Sequence, residues 1–211
     1  MQKVLGSVTR VAVKKRRLLR MYRWLFTVKM AATVELSSFD LFGLDVGRSS
    51  HAEDENQFTY NGFHGVNLHL DGVAQVHPNG LLQLTNTSKH QAGHAFYQIP
   101  IKFNTSSSSG YRSLSFSTNF VFVMVPEITN LSGHGIAFTI SPSMDFTQAV
   151  VNQFLGLFNS SNNGLASNHL LAIEFDTIKN LEFNDINDNH VGIDVNSLNS
   201  IVSAPCYILF Q

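Results

Sequence analysis

The residues best equipped for chemistry lie between positions 174 and 190. Glu174-Phe175-Asp176-Thr177-Ile178-Lys179-Asn180 continues through Asp185 to His190. Glu174 and Asp176 are two apart in a run that reads as a strand, so both carboxylates leave the same face. Ile178 comes next on that face and can offer only its carbonyl oxygen. Asn180 and Asp185 then arrive on a polar connection, and His190 opens the following strand. Two carboxylates this close repel unless a cation or a shared proton sits between them. Carboxylates with an amide oxygen and a backbone carbonyl suit Ca2+, whereas carboxylates with an imidazole suit Mn2+ or Zn2+. Asp176 and Asp185 could bridge two such ions. The plainer reading is an exposed acidic loop with a solvated histidine.

Two other chemistries fail on the letters. An EF-hand loop needs glycine at its sixth position and glutamate at its twelfth. Asp185, Asn187 and Asn189 fit the start of such a loop, but His190 stands for the glycine and Asn196 for the glutamate. A retaining glycosidase on a sandwich would line carboxylates along one strand face as Glu-x-Asp-x-Glu. Here Ile178 occupies the third position, so no enzyme is expected.

Short strands between turn signals must position these groups. Phe58–Phe63 reads as the first, followed by Val66–Leu70, which stops at Asp71-Gly72. Val73–Val76 runs into the turn Pro78-Asn79-Gly80, and Leu81–Leu84 leaves it. Leu114, Phe116, Thr118 and Phe120 alternate with polar residues, which gives one buried and one wet face. Phe120–Val125 is apolar on both faces, as a strand between two layers would be. Ile136–Ile140, Phe154–Phe158, Leu170–Phe175 and Val191–Val195 complete the series. No segment of this body carries a convincing amphipathic helix. The pattern predicts an all-β sandwich or jelly roll.

Composition agrees with that class. Only 14% of the 211 residues are charged, while phenylalanine occurs 17 times. Residues 1–30 contain nine of the 14 Lys and Arg and no acid, leaving five basic against 15 acidic residues in the rest. Lys14-Lys15-Arg16-Arg17 taken alone resembles a nuclear-localisation or polyanion-binding patch. The acidic body argues against nucleic acid as a partner. The stretch Trp24–Val28 makes an unconvincing secretory signal, because Lys29 breaks it and no cleavage site follows. Residues 1–56 are therefore expected to be a basic, then acidic, poorly ordered segment. No apolar run approaches the roughly 18 residues that span a bilayer. The single cysteine, Cys206, excludes an internal disulfide and reads as an incidental thiol. Asn86, Asn104, Asn130 and Asn159 stand in Asn-x-Ser/Thr sequons, and together they favour a secreted glycoprotein. His51, His64, His69, His77, His90, His94 and His169 read as turn or surface residues.

The segment Leu171–Thr177, continued by Asp185-Ile186-Asn187-Asp188-Asn189-His190-Val191-Gly192-Ile193-Asp194-Val195-Asn196-Ser197, resembles the legume (L-type) lectins. It looks closest to the lectin ectodomains of plant L-type lectin receptor-like kinases. Phe58–Phe63, Pro78–Asn86, Gly93–Tyr97, Ser115–Phe122, Gly133–Phe138 and Phe154–Asn159 add to the match in family order, from residue 57 to about 205. The resemblance implies a concanavalin-like jelly-roll sandwich of two antiparallel sheets with adjacent transition-metal and calcium sites. Carried over by position, Glu174, Asp176, Asp185 and His190 would hold Mn2+ or another transition metal. Asp176, the Ile178 carbonyl, Asn180 and Asp185 would hold Ca2+. Ser200 matches a position that reaches the transition metal through water, and Asn180 would also meet a sugar hydroxyl.

The sugar site departs from that pattern. His134 stands where monosaccharide-specific members carry an aspartate that accepts from two sugar hydroxyls. The glycine that donates from the next loop is replaced around Asn152 and Gln153, and the stacking aromatic by Ile178. The family pattern is lost after Pro205, so residues 206–211 are expected to form a non-family tail and the sandwich to be incomplete at its C-terminus. There is no glycine-rich nucleotide loop or His-Arg-Asp motif of a kinase. Three expectations follow. The first is metal-dependent glycan or glycoconjugate binding by a fragment of an extracellular, cell-surface receptor, with room for an oligomer. The second is a lectin-like scaffold for a peptide, an apolar ligand or a protein. The third is a truncated product without folded function.

Overall fold

The computed structural model describes residues 27–29, 35–38, 60–86, 88–101, 104–107, 110–118, 120–124 and 133–206. The expectations for the basic cluster at 14–17, for Asn130 and for the tail beyond 206 fall outside them. The described strands are β1 (Thr27–Lys29), β2 (Glu35–Ser38), β3 (Leu68–Gly72), β4 (Gln75–Val76), β5 (Leu82–Gln83), β6 (Gly93–Tyr97) and β7 (Asn104–Ser107). They continue with β8 (Gly110–Ser117), β9 (Val121–Val123), β10 (Gly135–Ile140), β11 (Leu171–Asp176), β12 (His190–Val195) and β13 (Val202–Pro205). Ala166–Asn168 and Leu181–Phe183 form short 3-10 turns. The chain is all-β as its strand spacing implies, and no helix among the described residues is long and apolar enough to cross a membrane.

Every pairing among the described strands is antiparallel. One sheet runs β10-β11-β12-β13 and a second β4-β5-β1-β9; β2-β8-β7 and β3-β6 are smaller. The first sheet carries the chemistry, and apolar residues cover it on both faces. Ile136 pairs with Phe175, and this pair packs with Phe63, Leu82, Phe122 and Met124 in one core. Ala172, three positions before Phe175 and so on the opposite face, belongs to a second core with Leu157, Phe158, Leu170, Phe183 and Leu198. Alternation along the strand thus divides the two cores between the two faces.

Several expected strands are corrected. Residues 60–63 form a bend, where Phe63 is buried while its N–H donates to the Gly80 carbonyl. Phe154–Phe158 is also not a strand. Asn152 and Leu155 have φ of 89° and 52°, and the Val150 N–H donates to the Phe158 carbonyl, closing a compact loop. The apolar run served burial, and positive φ took it out of the extended region. Val121 is 50% exposed whereas Phe122 is buried, so β9 has one wet face rather than two dry ones. β1 and β2 pair with β5, β9 and β8, although no element was legible there.

Phe158 anchors the second core at 1% exposure. Phe158→Ala should lower the unfolding free energy by about 3–5 kcal/mol, read from urea denaturation, because the cavity cannot refill.

Candidate metal centre

β11 and β12 turn alternate residues into the interior. Ala172, Glu174 and Asp176 are buried on one strand, and His190, Gly192 and Asp194 on the next. Their register pairs Asp176 with His190, Glu174 with Gly192 and Ala172 with Asp194. Three carboxyl groups and an imidazole therefore share one buried face, with Asp185 brought alongside by the 177–189 connection.

Ligating atoms of Glu174, Asp185 and His190 all lie within 4.8 Å of one another. His190 Nδ1 is 3.0 Å from the Asn187 carbonyl, which can only accept, so Nδ1 carries a proton there. Nε2 then faces Glu174 Oε1 at 3.3 Å and Asp185 Oδ1 at 3.8 Å and has no hydrogen-bond partner. A neutral imidazole aims a lone pair at two carboxylates in this arrangement. A proton or a metal cation between them turns the repulsion into attraction.

The loop beyond β11 is tied to the same acids. The Ile178 N–H donates to Asp176 Oδ1 at 2.7 Å, and the Asn180 N–H donates to Asp185 Oδ2 at 2.6 Å. Asn180 Oδ1 is buried without a partner. An amide oxygen and an imidazole nitrogen left unsatisfied beside carboxylates form a donor set for hard and borderline cations. Gly192 completes the cradle: a Cβ there would collide with the Ser200 hydroxyl and the Glu174 carboxylate. These residues fit the two implied metals.

Burial is the main cause that raises the Asp176 pKa to about 7, and the neighbouring Glu174 and Asp185 add to it. Burial also raises Asp185, against the Asn180 N–H bond that lowers it. Asp194, missed in the sequence, is fully buried and pushed up to about 8, first by burial and then by Glu174. Ser200 Oγ lies 2.8 Å from Glu174 Oε1 and 2.7 Å from Asp194 Oδ1, but has one proton to donate. The signal for Asp194 was the alternation His190, Gly192, Asp194 itself.

His134 precedes Gly135, which pairs with Asp176, so it stands at the edge of the same site. It is half-buried, its Nδ1 has no partner, and burial lowers its pKa against the opposing pull of Glu182. Among the sequons, Asn86 Oδ1 accepts from the Ser88 N–H, and Asn104 lies in β7. Asn159 Nδ2 is engaged, donating to the Gln148 carbonyl at 3.0 Å. Cys206 is half-buried, and burial raises its thiol pKa.

Residues 55–209 match the family model of the legume lectin domain. The chain is 53% identical over 154 residues to the L-type lectin-domain containing receptor kinase I.8 of Arabidopsis thaliana, covering 73% of this chain and 23% of that protein. It is 52% identical over 159 residues to the receptor kinase SIT2 of Oryza sativa subsp. japonica, covering 75% and 23%. It thus spans about a quarter of the length of these relatives. Among solved structures, peanut lectin with a nine-residue peptide aligns with a TM-score of 0.56 at 27% identity, over 72% of this chain and 65% of that one. Lectin I from Ulex europaeus, in complex with the methyl glycoside of alpha-L-fucose, aligns with a TM-score of 0.54 at 24% identity, over 71% and 64%. The chain belongs to the legume lectin domain family, with its jelly-roll fold and non-enzymatic character.

Both Asp176 and Asp194 bind their protons more tightly in the folded chain than in the unfolded one. Folding is therefore favoured below the ordinary carboxylate pKa, and this contribution is lost as pH rises through about 7 to 8. Metal-free protein should melt at a higher temperature near pH ~5 than near pH ~8.5, and added Ca2+ with Mn2+ should shrink or reverse that difference. Differential scanning calorimetry at the two pH values, with and without the ions, provides the check.

Proposed function

We propose that this chain is a metal-dependent glycan-binding domain, part of an extracellular receptor of the plant L-type lectin kinase kind. Glu174, Asp176, Asp185 and His190 would hold a transition metal such as Mn2+. Asp176, the Ile178 carbonyl, Asn180 and Asp185 would hold Ca2+. The observation that carries the reading is the buried His190 Nε2 and Asn180 Oδ1, both without hydrogen-bond partners, beside Glu174 and Asp185. Bound cations would supply positive charge that fixes the 177–189 connection.

The residues of the chain then act by position. Asp185 and Asp176 hold the backbone of the connection through the N–H groups of Asn180 and Ile178. Asn180 presents its side-chain amide to a sugar hydroxyl. Thr177 Oγ1 donates to the Gly133 carbonyl and holds the His134 segment against the end of β11. His134 offers one ring donor or acceptor where a carboxylate would accept from two hydroxyls, so simple mannose or galactose should bind very weakly. Membership of a family in which lectin I of Ulex europaeus holds a fucoside supports a sugar as ligand. The sequons at Asn86 and Asn104 agree with an extracellular location.

A second reading takes a peptide as ligand. His134, the half-buried Ile178 and the 75% exposed Leu181 give the rim of the site an apolar, weakly polar character. Peanut lectin, the family member with a bound nonapeptide, is a precedent for it.

A glycan array probed with and without chelator should show binding that EDTA abolishes and Ca2+ with Mn2+ restores. Asp176→Ala should lose both metals together, because one carboxylate serves both; elemental analysis of the purified variant reads this directly. Full occupancy of either metal in the variant contradicts the shared-ligand arrangement. Peptide-array binding that ignores EDTA would favour the second reading.

A further inference from the structure

His94 was expected at the surface, and the structure packs it instead between two loops and a strand. Asp71 pairs with His94 and His69 with Phe96 across β3 and β6, so these four side chains share one face of the small sheet. Phe146 covers that face, its ring 5.1 Å from His94 at an interplanar angle of 24° and 5.4 Å from Phe96 at 13°. His94 is only 12% exposed, with Nδ1 3.3 Å from Asp71 Oδ2, an ion pair when the ring is doubly protonated. Its Nε2 lies 2.8 Å from the Gly156 carbonyl. A carbonyl accepts only, so Nε2 donates.

That bond crosses from one element to a distant one. Gly156 lies in the loop 150–158, whose Asn152, Leu155 and Gly156 all have positive φ. Leu155 at φ 52° is strained, and such backbone persists only where its surroundings over-determine it. Gly156 is closely packed at φ 68°: a Cβ would lie 3.0 Å from Ala92 Cβ and 3.1 Å from His94 Nε2, so these neighbours would have to shift. The same loop sends Phe154 against Phe183, with ring centroids 5.5 Å apart. Phe183 is the buried residue of the Leu181–Phe183 turn, which lies between Asn180 and Asp185.

We propose that His94, beside Asp71, is a positioning residue for the ligand site: its bond to Gly156 fixes the loop 150–158 and, through Phe154 on Phe183, the Asn180–Asp185 segment. The link to binding rests on the metal-dependent reading above, whereas the mechanical link between His94 and residues 180–185 does not. The strain at Leu155 makes the latch informative, because a loop held in a disfavoured conformation responds locally when a tether is removed.

Two variants separate donor from ring. His94→Phe keeps an aromatic on Phe146 and removes the donor; His94→Gln keeps a donor and removes the ring. Backbone amide exchange of the metal-free chains is followed by mass spectrometry, and Ca2+ affinity with Mn2+ present by titration calorimetry. His94→Phe should exchange faster at both 150–158 and 180–185 and bind Ca2+ about five- to tenfold more weakly, the effect of one lost hydrogen bond. His94→Gln should stay within about twofold of the parent in affinity. Should His94→Phe fail to fold, His94→Asn, too short to reach the carbonyl, takes its place. Unchanged exchange at 180–185 in the donor-less variant, or equal impairment of His94→Gln, overturns the proposal. A parent chain that binds no Ca2+ defeats the functional reading alone, and the exchange experiment still decides the latch.

Discussion

The structure turns on charge taken out of water along one strand pair. Glu174, Asp176 and Asp194 all point from β11 and β12 into the interior, joined by His190 and flanked by Asp185. Lys179 is the one lysine or arginine between positions 171 and 206. An isolated buried carboxylate is strongly disfavoured, and here several accumulate within reach of one another. Protons relieve this in part, as the raised pKa values of Asp176 and Asp194 record. The two backbone N–H groups on Asp176 and Asp185 relieve a further part. The remaining electrostatic demand is for positive charge, which a cation held among Glu174, Asp185 and His190 would meet.

The rest of the fold meets that demand by keeping the strand pair rigid and dry. Phe175 and Ile136 bind one face of the sheet into the first core, and Ala172 takes its opposite face into the second. Phe183 ties the connection itself into that second core, so the loop that carries Asn180 and Asp185 has an apolar anchor as well as polar ones. Gly192 is as necessary as any ligand: the strand must approach Glu174 and Ser200 with nothing but hydrogen on its α-carbon. Packing and charge are thus specified by alternate residues of the same two strands.

Much of the site was legible because it obeys period two. The alternation of Leu171–Asp176 and His190–Val195, with acids and imidazole at every second place, identifies both the strands and the residues they bury. What escaped did so for physical reasons. Phe154–Phe158 has the hydrophobicity of a strand, but positive φ at Leu155 and Gly156 is invisible in letters when the first is not glycine. Asp194 escaped because an aspartate at a core position is read as solvent-facing until its partners Ser200 and Glu174 are known. His94 escaped because Asp71, Phe146 and Gly156, which surround it, come together only through tertiary packing.

The proposed ligands all lie between Glu174 and His190, on one hairpin and its connection. Chains with such local contacts order early, because closing a short loop takes about 0.01–0.1 μs for ten residues and distant strand pairing takes far longer. Such closeness in sequence would let the acid-rich hairpin form before strands from the two ends of the sequence join it. A cation captured at that stage would act as a nucleus, screening the carboxylates while β10 and β13 are added to either side. The hairpin register sets Asp176 opposite His190, with β10 and β13 paired on either side of it.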